Sequence, residues 1–122
     1  TAIFTTQQLK GVLNILDSNT PAILSVFAGR IADSGIDPLP IMQDSVIHSK
    51  LKPKTNILWA STREVINIFQ ANSIGCHIIT VPHELLNKLS NVGKSLESFS
   101  LETVSGFYED ASKAGYSIKL KK

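Results

Sequence analysis

The sequence predicts an α/β fold on a parallel sheet, and three observations carry that reading. Short apolar runs of strand length alternate with stretches of helical periodicity along the chain. The runs are continuous, without the inside–outside alternation of a sheet wetted on one side, so helices are expected to cover the sheet on its faces. The 122 residues, 43% hydrophobic and 18% charged, suffice for one compact domain with a core and are short for two.

Taken in order, "TAIF" (1–4) reads as a short strand or strand end. In "TTQQLKGVLNILDSN" the apolar residues Leu9, Val12, Leu13 and Leu16 keep helical spacing, with Thr5 or Thr6 as N-cap and Asp17-Ser18-Asn19 as the stop. Pro21 precedes the strand "AILSVFA". "GRIADSGIDPLPIMQ" reads as a loop rich in Gly, Asp and Pro that leads into a helix around residues 40–51. "NILWAS" (56–61) is the next strand, and "TREVINIFQANSIG" a helix ending at Gly75. "CHIITV" (76–81) is a further strand, with Pro82 at the start of the short helix "HELLNKL". "SLETVSGFYEDASKAG" is a longer helix with Gly115 as its C-cap. Four such units fit either a small open sheet or half of an eight-stranded barrel, and the pattern alone does not separate the two.

Composition excludes several classes. Twelve Lys+Arg against ten Asp+Glu leave a net charge of +2, too weak a basic bias for nucleic-acid binding. The basic cluster Lys119, Lys121 and Lys122 reads as a solvated terminus. A single cysteine, Cys76, rules out an internal disulfide framework and fits a reducing cytosol, so a cytoplasmic location is expected. No apolar run approaches a membrane span, and no charged-then-apolar signal segment opens the chain, so no membrane partner is expected. The sequence starts without Met, directly in "TAIF", as expected of a truncated, processed or excerpted chain.

In either architecture ligands are expected at the carboxyl ends of the strands. Those positions hold Thr5 and Thr6, Phe27 and Arg30, Ser61 and Arg63, and Thr80 to His83. Two guanidinium groups and a hydroxyl suit a phosphate, because the Arg fork matches phosphate oxygens. A helix starting around Thr62 would add exposed amides and a favourable dipole. Each residue has a plainer reading beside this one. On spacing alone Ser61 is an N-cap, Arg63 a solvated first-turn residue, and Arg30 a partner for Asp33 or Asp37 in its own loop. Cys76 reads as a buried thiol, His77 as core or interface, Asp33 and Asp37 as turn residues, and Trp59 as packing. His48 and His83 have no ligand partners at metal spacing, so no metal site is expected, and nothing resembles a Gly-rich phosphate loop or a dinucleotide fingerprint.

The stretches "SVFAGRIADSGIDPLP", "ILWASTREVINIFQANSIGCHIITVPHELL" and "SLETVSGFYEDASKAGY" together resemble the carboxyl-terminal half of the transaldolase family, more closely the compact branch that includes fructose-6-phosphate aldolase. The resemblance covers nearly the whole chain. It rests on "FAGRI" and A-S-x-R in this order with "IITVP" behind them. It implies a (β/α)8 TIM barrel in which residues 1–122 are the carboxyl-terminal half, the fifth to eighth units, with the amino-terminal half of the barrel as the missing partner. It also implies that Arg30 of F-x-x-R, and Ser61 and Arg63 of S-x-R, bind the phosphate of a sugar-phosphate substrate. The family's aromatic at Phe27 faces the reacting carbons, where true transaldolases tend to carry Phe and the aldolases Tyr. The threonine opening "TAIF", Thr1, resembles one that helps position the catalytic water.

The chemistry so implied is a class I aldol reaction of the pentose phosphate pathway. A lysine amine forms a Schiff base with a ketose phosphate, and cleavage leaves a three-carbon dihydroxyacetone unit for transfer to an aldehyde. The imine is the electron sink, so neither metal nor cofactor is expected. The family's lysine lies on the fourth strand, ahead of Thr1, and no lysine of this sequence falls at a strand's carboxyl end. The chain alone is therefore expected to be inactive. A half barrel exposes two edge strands, and family members usually assemble into rings of subunits, so a homo-oligomer using the helix at 99–114 is expected. An aldolase of the same family, and a non-catalytic half-barrel that binds sugar phosphates or assembles, are the competing readings.

Overall fold

The computed structural model describes residues 1–115, so the basic cluster at Lys119, Lys121 and Lys122 lies outside the described residues. The chain divides into two compact units, Thr1–Asn87 and Lys88–Lys122.

The first unit is built on a three-stranded, all-parallel sheet of β1 (Ala22–Phe27), β2 (Thr55–Ala60) and β3 (Ile78–Ile79), in sequential order. Helices α1 (Thr6–Ile15), α2 (Ala28–Asp33), α3 (Leu39–Ser49), α4 (Ile66–Ser73) and α5 (His83–Lys88) alternate with it. The strand expected over residues 1–4 is reduced to one bridge beside β1. The Ile3 N–H donates to Ser25 O at 3.1 Å, and the Phe27 N–H to Ile3 O at 3.0 Å. Two residues confine it. Ala2 has φ +55°, outside extended geometry. Thr5 already caps α1, its hydroxyl accepting from the Gln8 N–H while Gln8 Oε1 accepts from the Thr5 N–H, a reciprocal capping box.

Burial along the strands alternates, and this corrects the expectation of a sheet covered on both faces. Leu24, Val26, Ile57 and Trp59 are buried in one core with Leu9 and Leu13 of α1, Ile31 of α2, Met42 and Val46 of α3 and Ala71 of α4. Between them Ile23 and Asn56 are exposed, and Ser25, Phe27 and Leu58 are half-buried. Among the described residues, helices cover one face. Ile23 and Phe27 of β1 and Leu58 of β2 place apolar residues on the second face as well, so the composition conceals the alternation that burial reveals.

Three boundaries differ from the sequence reading. The expected Gly/Asp/Pro loop opens with α2, which leaves β1 without a break and stops at Gly35, whose φ of +83° is open to glycine and strained for other residues. Asp37 does act as a turn residue, accepting from the Leu39 N–H at 3.0 Å. Helix α4 starts at Ile66, not at Thr62, because Asn67 Oδ1 accepts from the N–H groups of Arg63 (3.2 Å) and Glu64 (2.9 Å) and holds them in a turn. The strand expected over 76–81 shrinks to two residues because side chains replace its ladder. His77 Nδ1 accepts from the Ile57 N–H at 3.0 Å, and the Cys76 thiol donates to Ile57 O at 3.3 Å. His77 is exposed rather than part of the core.

The second unit holds a short 3-10 turn (Leu89–Asn91) and α6 (Leu96–Lys113). Ser95 caps α6 by accepting from the Ser98 N–H, and Lys94 pairs with Glu102 at 2.7 Å across its first turns. Gly115, at φ +83°, follows its end, as the C-cap reading expects. No residue of α6 is buried, and Leu101, Val104 and Tyr108 form an exposed apolar stripe.

Replacing His77 by Phe leaves the Ile57 N–H without its acceptor and should lower stability by about 1–2 kcal/mol in urea unfolding. Burial pushes the Cys76 thiol up from its ordinary value, backbone hydrogen bonds opposing it more weakly. Folding thus favours the protonated thiol. That contribution is complete below the ordinary thiol range and is lost as pH rises through the raised value. Iodoacetamide should accordingly modify Cys76 much more slowly in the folded than in the urea-unfolded protein.

Candidate functional site

Strands β1 and β2 are in register from Ala22↔Thr55 to Phe27↔Ala60, so their carboxyl ends are level. The segments leaving those ends are brought into contact by one residue without a side chain. A methyl group on Gly29 would lie 1.6 Å from Ser61 O and 2.7 Å from Ser61 Oγ, so only glycine lets α2 sit on the turn after β2. Ser61 itself has φ +61°, a left-handed conformation that costs a non-glycine residue roughly 1–2 kcal/mol. It is not an N-cap, since α4 begins five residues later with Val65 at that position. The helix-start amides expected beside Ser61 are likewise absent, because the Arg63 and Glu64 N–H groups are bound by Asn67.

Arg63 extends from this turn to Asp33 at the end of α2, its NH2 donating to Oδ2 at 2.8 Å with both side chains about half-exposed. Asp33 therefore pairs across the site, not with Arg30 in its own segment. Arg30 is exposed on α2 and has no ion pair or hydrogen bond among the described residues. Phe27, half-buried at the end of β1, packs on Phe4 with ring centroids 5.9 Å apart. Thr1 is exposed, two residues ahead of the Ile3 bridge and so on the amino side of the level of Phe27. Thr80 is tied to the sheet, its N–H donating to Trp59 O at 3.1 Å, and His83 opens α5.

A cavity of about 30 Å³ lies between α2 and the 61–65 turn, lined in part by Gly29, Ala32, Pro38, Trp59, Arg63 and Asn67. Trp59 is 1% exposed, as expected of a packing residue, and its indole N–H has no acceptor among the described residues. The Thr62 hydroxyl is buried and likewise unpaired. Among the described residues no three His, Cys, Asp or Glu side chains could hold a metal. No helix among them is long and apolar enough to cross a membrane. Past the carboxyl ends of β1 and β2 the chain thus carries Arg30 on α2 and Ser61 and Arg63 on the turn that α2 rests on, groups of the kind that donate to oxyanions. Sequence reasoning missed Gly29 as the joint, Asp33 and Asn67 as the groups that hold Arg63, and Phe4 beneath Phe27. The Asn four residues after Arg63 was the one local signal, since Asn side chains commonly bind nearby backbone N–H groups.

Fold and site together define an α/β protein with cationic and hydroxyl residues on the segments that follow the carboxyl ends of its parallel strands. Its sequence matches the Transaldolase/Fructose-6-phosphate aldolase family over residues 1–119, and the chain belongs to that family. A probable transaldolase of Thermoanaerobacter sp. is 38% identical over 96 residues, covering 78% of this chain and 42% of the relative. A probable transaldolase of Rhizorhabdus wittichii is 32% identical over 98 residues (80% and 43%), and one of Caulobacter vibrioides 28% over 111 (80% and 51%). The chain spans about half the length of the curated relatives it matches, or less.

Gly29→Ala should cost at least about 1–3 kcal/mol, the range of an overpacked core site. Gly11→Ala, in α1 with nothing within 4 Å of the added methyl, should instead stabilise by up to about 1 kcal/mol. Urea unfolding of the two variants side by side checks both signs.

Proposed function

We propose that this chain supplies the phosphate-binding half of a transaldolase-type enzyme, which transfers a three-carbon dihydroxyacetone unit between sugar phosphates. Family membership supports the reading, and one observation carries it: the seating of Gly29 on Ser61 sets α2, which bears Arg30, against the turn that bears Ser61 and Arg63 at one end of the sheet. Arg30 and Arg63 then supply charge-assisted donors to the phosphate, and Ser61 a hydroxyl. Phe27, backed by Phe4, walls the side on which the reacting carbons lie, and Thr1 helps position the catalytic water. The units are the fifth to eighth of a (β/α)8 barrel. In support, Ile3, β1, β2 and β3 stand parallel and in sequential order, with the main core on one face.

The Schiff-base lysine comes from the amino-terminal half. Lys10 lies on α1, Lys50 caps the end of α3, and Lys88 and Lys113 end α5 and α6. Lys52 and Lys54 sit at the amino end of β2, their ammonium groups bound to Leu16 O and Asn19 O. An amine that attacks a ketose carbonyl must face the opposite end of the sheet. The imine draws off the electron pair when the carbon–carbon bond breaks, so the chemistry needs no metal. The exposed apolar stripe of α6 suits packing on a neighbouring subunit of a homo-oligomer, and the enzyme works in the cytoplasm.

Borohydride added to the complete enzyme with fructose 6-phosphate should trap the sugar on a lysine outside residues 1–122. A trapped lysine within this chain, or no trapping at all, rejects the reading. Arg63→Ala and Arg30→Ala should each raise KM for fructose 6-phosphate about ten- to a hundredfold, as expected from losing a charge-assisted bond of roughly 1.5–3 kcal/mol.

A further inference from the structure

Arg63 enters the site from a turn, so no helix fixes where its guanidinium points. Two side chains do so instead. Asn67, in the first turn of α4, accepts from the backbone N–H of Arg63 and holds the start of the side chain. Asp33 accepts from its NH2 at 2.8 Å and holds the far end. The carboxylate owes its place to Gly29. The helix is seated there on Ser61, and Asp33 lies four residues further on, one helical turn away and on the same side. The contact that joins the two loops thereby also sets the carboxylate beside Arg63.

The bond is single, one NH2 on one Oδ2. A guanidinium has five N–H donors in a rigid fork, so four remain for another acceptor while the plane is held. Arg30, three residues before Asp33 and without an ion pair among the described residues, is not held in this way.

We propose that Asp33 is a positioning residue for Arg63, aiming the guanidinium fork at the phosphate of the substrate without touching the substrate itself. This rests on the reading of Arg63 as a phosphate ligand. A carboxylate near such a site has a second effect, repulsion of the anion and competition for the arginine. Because both side chains are about half-exposed, water and salt screen that repulsion. Only one of the five donors is taken, so orientation outweighs competition.

The two effects have opposite signs, and the test reads the sign. Asp33→Asn in the complete enzyme should raise KM for fructose 6-phosphate about two- to fivefold, the span that an exposed ion pair supports. kcat should stay unchanged, as should KM for unphosphorylated fructose. Asp33→Glu should recover part of the loss. A KM that falls, stays constant, or shifts equally for both sugars overturns the proposal, the first outcome marking Asp33 as a competitor. Arg63→Ala run in parallel separates the two levels of inference. If that variant too fails to discriminate between the sugars, the phosphate-site reading falls. If it discriminates and Asp33→Asn does not, only the role of Asp33 falls.

Discussion

The approach of Gly29 to Ser61 is the contact on which the carboxyl end of the sheet depends. With a methyl group 1.6 Å from Ser61 O excluded, α2 can lie directly against the turn after β2. That seating brings Asp33 to Arg63, lines the small cavity beside Trp59, and sets α2 with Arg30 against the turn that carries Arg63. The turn it rests on is itself held in an unfavourable conformation at Ser61. Backbone strain of this kind persists where the surrounding packing over-determines it, and it clusters at ligand sites. Here the surroundings are the level, in-register ends of two strands and the Asn67 side chain that accepts from the N–H groups of Arg63 and Glu64.

Beneath that end the sheet is asymmetric. One face is sealed by α1 to α4 around Val26, Ile57 and Trp59, all at 1% exposure or less, and this face supplies the unit's stability. The other carries Phe27, Leu58 and the exposed Ile23 among polar Ser25 and Asn56. An apolar but unsealed face suits a sheet whose second surface is completed by further strands, as in a closed barrel, where inward side chains from opposite strands fill the centre. The aromatic pair Phe4–Phe27 sits at the carboxyl end of that face.

Much of this is legible in the sequence where the signal is local. The apolar runs of β1 and β2 end within about a residue of the observed strands, and Thr5 and Gly115 behave as the caps their positions suggest. Arg30, Ser61 and Arg63 stand out because strand ends can be read from hydrophobic runs, and the family match supports the resemblance that the same residues carry. The features that escape are non-local. The loop composition of 29–43 conceals α2, since Gly29 serves a contact with a residue far along the chain rather than a turn of its own. Likewise the early helix start at Thr62 is overridden by one side chain, Asn67, and the length of β3 by two, Cys76 and His77. Propensity weighs a residue against its neighbours and is blind to the backbone group that its side chain reaches.

The join between β2 and β3 differs in kind from that between β1 and β2. The latter is a backbone ladder along six-residue strands, whereas the former rests on two residues of ladder and on side-chain bonds to Ile57. Side chains of exposed residues change rotamer in picoseconds to nanoseconds, while cooperative loss of a ladder is a far rarer event. By this measure the β3 margin is the weaker-held edge of the sheet and the β1–β2 seam the stronger one. The amide of Ile57, in the centre of a buried strand, is thus guarded by a side-chain acceptor, and its protection from exchange is tied to local opening at His77 rather than to a backbone ladder.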